Sequence, residues 1–453
     1  MPNDPVPGLL GAATHALEAH FGSLPSFEPA TAAATDDAAI ARVLDLVAQR
    51  LGDNYPYFHP LYAGQMLKPP HPVARAAYAL AMTINPNNHA LDGGRASSQM
   101  EIEAVAGIAR MCGWTEYLGH LTSSGTLANL EALWIAGQLA PGKRILASEQ
   151  AHYTHQRISG VLRLNFASVA SDNQGRLNLE ALEDELRKGD VGTVVVTLGT
   201  TAIGAVDPLH HVLALRNRYS FRIHVDAAYG GYFRLVPDSL DASGRAAYAS
   251  LDQADSIVID PHKHGLQPYG CGCILFRDPS VGRFYKHDSP YTYFTSKELH
   301  LGEISLECSR AGASAVALWA TQQLLPLTPD GDFARGLARS RTAALDLDSR
   351  LRHSGRFQPL VAGPPQLDIV VWKHNVPSIA EASSLATQTF GACAKDDLHL
   401  ALVQLPHSWF QSSAASSAGS TVETVTCLRS VLMKPEHQEW IETIWRKLTA
   451  ASN

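Results

Sequence analysis

Cysteine is scarce in this chain. There are six in 453 residues, and none lies in a CxxC pair, since Cys271 and Cys273 form only a CxC. A disulfide framework is therefore excluded as the organising principle, and a reduced interior is expected. Basic blocks are missing too. Lys and Arg total 36 against 43 Asp and Glu, for a net charge of −7, which argues against nucleic acid and anionic membrane surfaces as partners. No apolar run reaches the ~20 residues of a membrane span. The opening stretch MPNDPVPGLLGAATHALEAHF lacks the basic-then-apolar order of a secretory signal. A soluble, cytoplasmic protein is the expectation. HExxH and zinc-spaced Cys/His sets are absent, so His262, His264 and the pair His210/His211 do not read as metal ligands.

What is present is a long chain, 45% hydrophobic and 17% charged, able to bury one large core with flanking layers. Residues 1–75 read as an N-terminal helical and extended segment. It ends in NYPYFHPLYAGQMLKPPHPVA (residues 54–74), whose prolines preclude a continuous helix and whose aromatics need a cover. Residues 76–325 alternate β-branched runs with helical stretches: RILAS (144–148), TVVVTL (193–198), RIHVDA (222–227), SIVID (256–260) and CGCILF (271–276), separated by LANLEALWIAGQLA (127–140) and LEALEDELRKG (179–189). That alternation predicts an α/β domain with a mostly parallel sheet and a ligand site beyond the strands' carboxyl ends. Residues 326–453 read as a smaller α+β domain, with strands at DIVVW (368–372) and TVTCLRSVLM (424–433), a low-complexity loop at 411–420 and a closing helix from His437.

Four short motifs fall at those strand ends. DPHKHG (260–265) puts a lysine just after a buried strand, where desolvation would make its amine nucleophilic toward an aldehyde. HVDAAYGG (224–231) ends a strand on a carboxylate, which suits the nitrogen of a pyridine ring serving as electron sink. TSSGTLANL (122–130) leads hydroxyl and small residues into a helix, an anion site suited to phosphate but unlike the nucleotide pattern GxxxxGK[ST]. SEQAHYTHQR (148–157) offers His152 as a stacking ring or an acid/base. Each alone has a bland reading: a solvated lysine, two helix caps, a structural histidine.

Together these motifs resemble the group II decarboxylases that depend on pyridoxal 5′-phosphate (PLP), relatives of archaeal tyrosine/aspartate decarboxylase and sphingosine phosphate lyase. The resemblance also rests on HPLYAGQM, INPNNHA, TLGTTAIGAVDP, GLQPYGCGCILFRD and LECSRAG, and spans residues 54–433. It implies the aspartate-aminotransferase-like PLP fold (fold type I) and a homodimer with shared active sites. It also implies PLP carried as an aldimine on Lys263, Asp226 on the ring nitrogen, Ala228 under the ring and His152 on its other face. Gly125, Thr126 and His262 would hold the phosphate, with Thr201 and Asp207 as outer support; Arg310 would lie near the site.

The implied reaction is decarboxylation of an L-amino acid to its amine. The alternative on the same scaffold is a carbon–carbon lyase or an aldehyde-forming decarboxylating oxidase. The family's loop tyrosine aligns with LGEI (301–304) in this chain. His152, Tyr291 or Tyr293 would then return the proton, His152 ranking first. Tyr62, Gln65, Met66 and His89 are the expected lining of the side-chain pocket.

Overall fold

Runs of valine and isoleucine pair as the sequence leads one to expect. The computed structural model describes residues 4–27, 36–286, 300–411 and 423–452. Seven strands make one sheet: β1 (Leu118–Thr122), β2 (Arg144–Ser148), β3 (Phe166–Val169), β4 (Val191–Thr197), β5 (Arg222–Asp226), β6 (Ser256–Ile259) and β7 (Gly272–Phe276). Their order is β1-β7-β6-β5-β4-β2-β3. All neighbours from β6 to β3 run parallel, and β7 runs against both β6 and β1.

Every residue of β4 is buried. Val194 and Val196 pack into the main core, whereas Val195 joins Leu133, Ile145 and Ile158 on the opposite face. A strand apolar on both sides is what a sheet covered on both sides requires. Because β1 is antiparallel to β7, its carboxyl end falls on the same edge as those of β2 and β4 to β6.

A second, antiparallel sheet has the order β10-β11-β9-β8, from β8 (Phe357–Pro359), β9 (Ile369–His374), β10 (Ala401–Pro406) and β11 (Thr424–Val431). Leu347, Trp372, Leu428 and Ile444 close its core against the helices Asp332–His353 and His437–Ala451. The proline-rich stretch lies across this sheet. Ala63 N–H donates to the His399 carbonyl at 2.9 Å, and Val431 N–H donates to the Ala63 carbonyl at 2.7 Å. Leu61 and Ala63 join the same core.

The helix Asp37–Leu51 stands apart. The Asp36 carboxylate caps it, yet it buries no residue. Ile40, Val43, Leu44, Val47 and Leu51 form a stripe at helical spacing that is exposed to solvent. No described helix is long and apolar enough to cross a membrane. Most of the low-complexity stretch, from Ser412 onward, lies outside the described residues.

Candidate active site

Five strands of the large sheet deliver residues to one cavity at their carboxyl edge. It encloses about 180 Å³. β1 leads through Ser124, whose hydroxyl accepts from Leu127 N–H at 3.2 Å, into the helix Gly125–Leu139. Gly125 and Thr126 therefore stand on the first turn, where unpaired N–H groups favour an anion. β2 is followed by His152, β4 ends on Thr197, β5 ends on Asp226, and β6 runs into Asp260, His262 and Lys263. Gly125, Thr126, His152, Thr201, Asp226, Ala228, His262 and Lys263 all line this cavity.

Asp226 is 5% exposed. Its Oδ1 accepts from Ala228 N–H at 3.1 Å, and its Oδ2 lies 2.8 Å from His155 Nε2. Burial alone pushes this carboxyl upward, but His155 and, further off, Lys263 outweigh it and hold the group well below the usual carboxylate range. Beneath it His224, pulled down to about 3 by burial, bridges Asn129 (2.8 Å) and Ser256 (2.9 Å) as a neutral ring.

Lys263 is not sealed away from water, as its desolvated environment in the sequence reading requires. Its side chain is 22% exposed, and its Nζ lies 3.1 Å from Asp260 Oδ2. The same oxygen is 3.5 Å from His262 Nε2. The partner of His262 Nδ1, at 2.6 Å, is the Cys271 carbonyl, which can only accept, so Nδ1 carries a hydrogen. Burial lowers the pKa of both His262 and His152. His152 Nδ1 accepts from Thr154 N–H at 3.3 Å.

Asp207 lies wholly buried behind the cavity and accepts from the Leu177 and Thr197 N–H groups, each at 2.7 Å. Thr201, expected behind the site, stands exposed at its rim instead. Its carbonyl accepts from Arg429 Nη2 at 2.7 Å, and the same guanidinium binds the Ala202 and Gly64 carbonyls. Arg310 does not line the cavity; Glu101 Oε1 holds it at 2.7 Å.

None of the four side-chain-pocket positions lines the cavity either. Tyr62 is buried against the small sheet, and Gln65 Oε1 accepts from Arg429 at 3.3 Å. The Met66 carbonyl accepts from Tyr269 at 3.1 Å, and His89 Nε2 is 3.9 Å from Cys308. Tyr291 and Tyr293 lie outside the described residues.

The residues of this site missed by sequence reasoning include Thr197, near the end of the run TVVVTL, and two others that matter to its electrostatics. His155 stands three positions after His152, and Asp260 opens the lysine motif; both signals were in motifs already singled out.

The cavity fits a phosphorylated pyridine. Thr197 Oγ1 and Asp260 Oδ1 are buried without a hydrogen-bond partner among the described residues. A Cβ on Gly125 would sit 2.4 Å from Asp260 Oδ2, so the glycine keeps that corner open. An ionised, buried carboxylate and a lysine reach the same space.

Residues 138–362 match the pyridoxal-dependent decarboxylase conserved domain. The chain is 29% identical to an L-tyrosine decarboxylase of Enterococcus faecium, over 66% of its own length and 65% of that enzyme's. It thus spans slightly less than two thirds of that relative. It is also 29% identical to a probable L-tyrosine/L-aspartate decarboxylase of Methanothermobacter thermautotrophicus, over 69% of this chain and 82% of that one. In fold it is similar to Oryza sativa TDC, solved with PLP and tryptamine, with a TM-score of 0.77, 17% identity and coverage of 100% and 99%.

Proposed function

We propose that the chain is a pyridoxal-dependent decarboxylase that removes the α-carboxylate of an L-amino acid as CO2 and releases the amine, a reading supported by the match of residues 138–362 to that conserved domain and by the decarboxylases the chain resembles. The reading rests on one observation above all: Lys263, Asp226, His152 and the first turn of the helix Gly125–Leu139 share a single cavity. PLP, when bound, supplies an aldehyde that condenses with an amine and a ring that takes up the electron pair left at Cα.

Each residue then has a defined task. Lys263 Nζ, which lies 3.1 Å from Asp260 Oδ2, is the amine that would hold the cofactor. Asp226, held ionised by His155, would keep a proton on the ring nitrogen of the bound group. Gly125 and Thr126 offer N–H groups to the phosphate. His152 faces the cavity with a pKa lowered by burial, and its protonated form would hand a proton to Cα of the substrate. Ala228 keeps the opposite wall flat. Asp207 fixes the Thr197 main chain from behind.

The working form in this proposal is a soluble cytoplasmic homodimer. The bare stripe of the helix Asp37–Leu51 supports it, as an apolar surface needing a cover.

Borohydride reduction of the yellow protein followed by peptide mass analysis tests the central step. A phosphopyridoxyl group on Lys263 is expected, and none in Lys263→Ala. Incubation with single amino acids should give amine and CO2 in equal amounts. Aldehyde with hydrogen peroxide, or a cleaved side-chain fragment with the carboxylate retained, would displace simple decarboxylation.

A further inference from the structure

The loop that carries Lys263 has a second side. Lys263 faces the cavity described above, whereas its neighbour His264 lines a separate cavity of about 250 Å³ between the proline-rich segment, the loop and the start of the last helix. His264 is fully buried. Its Nε2 lies 3.3 Å from Asp368 Oδ2 without hydrogen-bond alignment, and its Nδ1 has no hydrogen-bond partner among the described residues.

Two lysines line the same cavity. Lys434 is 2% exposed, and its ammonium group donates to the Tyr62 carbonyl at 2.6 Å and the Leu67 carbonyl at 3.3 Å. Lys68 is partly buried and donates to the Met433 carbonyl at 3.4 Å. Main-chain carbonyls are the only hydrogen-bond partners of either lysine among the described residues, although Asp368 and Glu436 act on Lys68 from farther away. Two cations drawn into a cavity without a paired carboxylate are costly unless something neutralises them.

We propose that this cavity is a second binding site, for a small oxyanion such as inorganic phosphate or a short carboxylate, gripped between Lys68 and Lys434. The other charged or titratable side chains around it leave room for that charge. Asp332 pairs with Arg335, and Glu436 is exposed to solvent. Asp368 accepts from the Tyr229 hydroxyl at 2.6 Å, and His71 Nδ1 accepts from the Val73 N–H. Burial lowers Lys68 to about 8 and Lys434 to about 7. An anion favours their charged forms, so its binding takes up protons and tightens as pH falls toward neutrality. Tyr229 lines the first cavity and His264 the second, and Asp368 links them, accepting from the Tyr229 hydroxyl and lying 3.3 Å from His264 Nε2.

Calorimetric titration of the cofactor-loaded protein with inorganic phosphate tests this, because the cofactor's own phosphate then fills the other anion site. The expected result is one phosphate per chain, with proton uptake seen as a heat that depends on buffer ionisation. Lys434→Met and Lys68→Met should each weaken binding by about tenfold or more, as loss of a charge-assisted contact implies, while the cofactor's visible absorbance stays. Lys68 makes only one long hydrogen bond, so its variant serves even if Lys434→Met does not fold. Malonate titrated in parallel separates a site that prefers carboxylates from one that prefers phosphate. If neither anion binds at millimolar concentration, or if binding survives unchanged in Lys68→Met, the proposal fails.

Discussion

His155 Nε2 lies 2.8 Å from Asp226 Oδ2, with the two residues only 1% and 5% exposed. A buried carboxylate without such a partner would take up a proton and could no longer hold one on a ring nitrogen. His155→Phe should therefore cost about 1.5–3 kcal/mol of stability at neutral pH, as for a hydrogen bond to a charged group. The sign follows from the depressed pKa of Asp226: its contribution is complete above the ordinary value of 3.8 and is lost as pH falls below it. Urea denaturation of the cofactor-free protein should show a gap between wild type and variant at about pH 7 that shrinks below about pH 4.

Gly125→Ala should leave the fold intact and weaken the cofactor. The added methyl would meet the Asp260 carboxylate at 2.4–2.7 Å, and relieving such an overlap costs about 1–3 kcal/mol. Titration with PLP, followed by visible absorbance, should show the dissociation constant rising by at least about tenfold.

His152→Phe keeps a flat ring and removes the proton. Turnover should fall by about 10²–10⁴-fold, the usual contribution of an acid or base, with the cofactor band retained. Because burial lowers the pKa of His152 below its ordinary 6.5, its protonated fraction falls as pH rises through that lowered value. Steady-state kcat of the wild type should decline in step, and the residual rate of the variant should not.

Light scattering should report a dimer. Leu44→Glu with Val47→Glu places two charges on the bare stripe and should yield monomer, with far-ultraviolet circular dichroism unchanged. A dimer that tolerates both substitutions would free this helix of any role in assembly.

Much of this site was legible because its parts are local. A β-branched run such as SIVID can hardly be other than a buried strand, and the residues just past it fall on the ligand edge of the sheet. The positions of Lys263, Asp226 and His152 follow from that rule. The hydrogen-bond partners do not. His155 and Asp226 are 71 residues apart, and nothing in periodicity tells which of two histidines at the start of a short helix turns toward that carboxylate. The ion pair between Lys263 and Asp260 depends on the turn between them, which is why a sealed lysine was expected and a partly exposed one found. β1, reading LGHLT, was overlooked because glycine and histidine interrupt its apolar character. Its burial comes from pairing with β7, a neighbour about 150 residues on.

The stretch around Ala63 bonds to main chain at His399 and Val431. On a ribosome this has a timing consequence. The early aromatic segment emerges while its binding surface is still unmade, and it has no resting place until nearly the whole chain is out. The large sheet, whose strands all lie between Leu118 and Phe276, can close first, and the beginning of the protein is stitched down last. A chain truncated before β11 would then carry an unplaced run of tyrosines and prolines, a handle for chaperones and proteases.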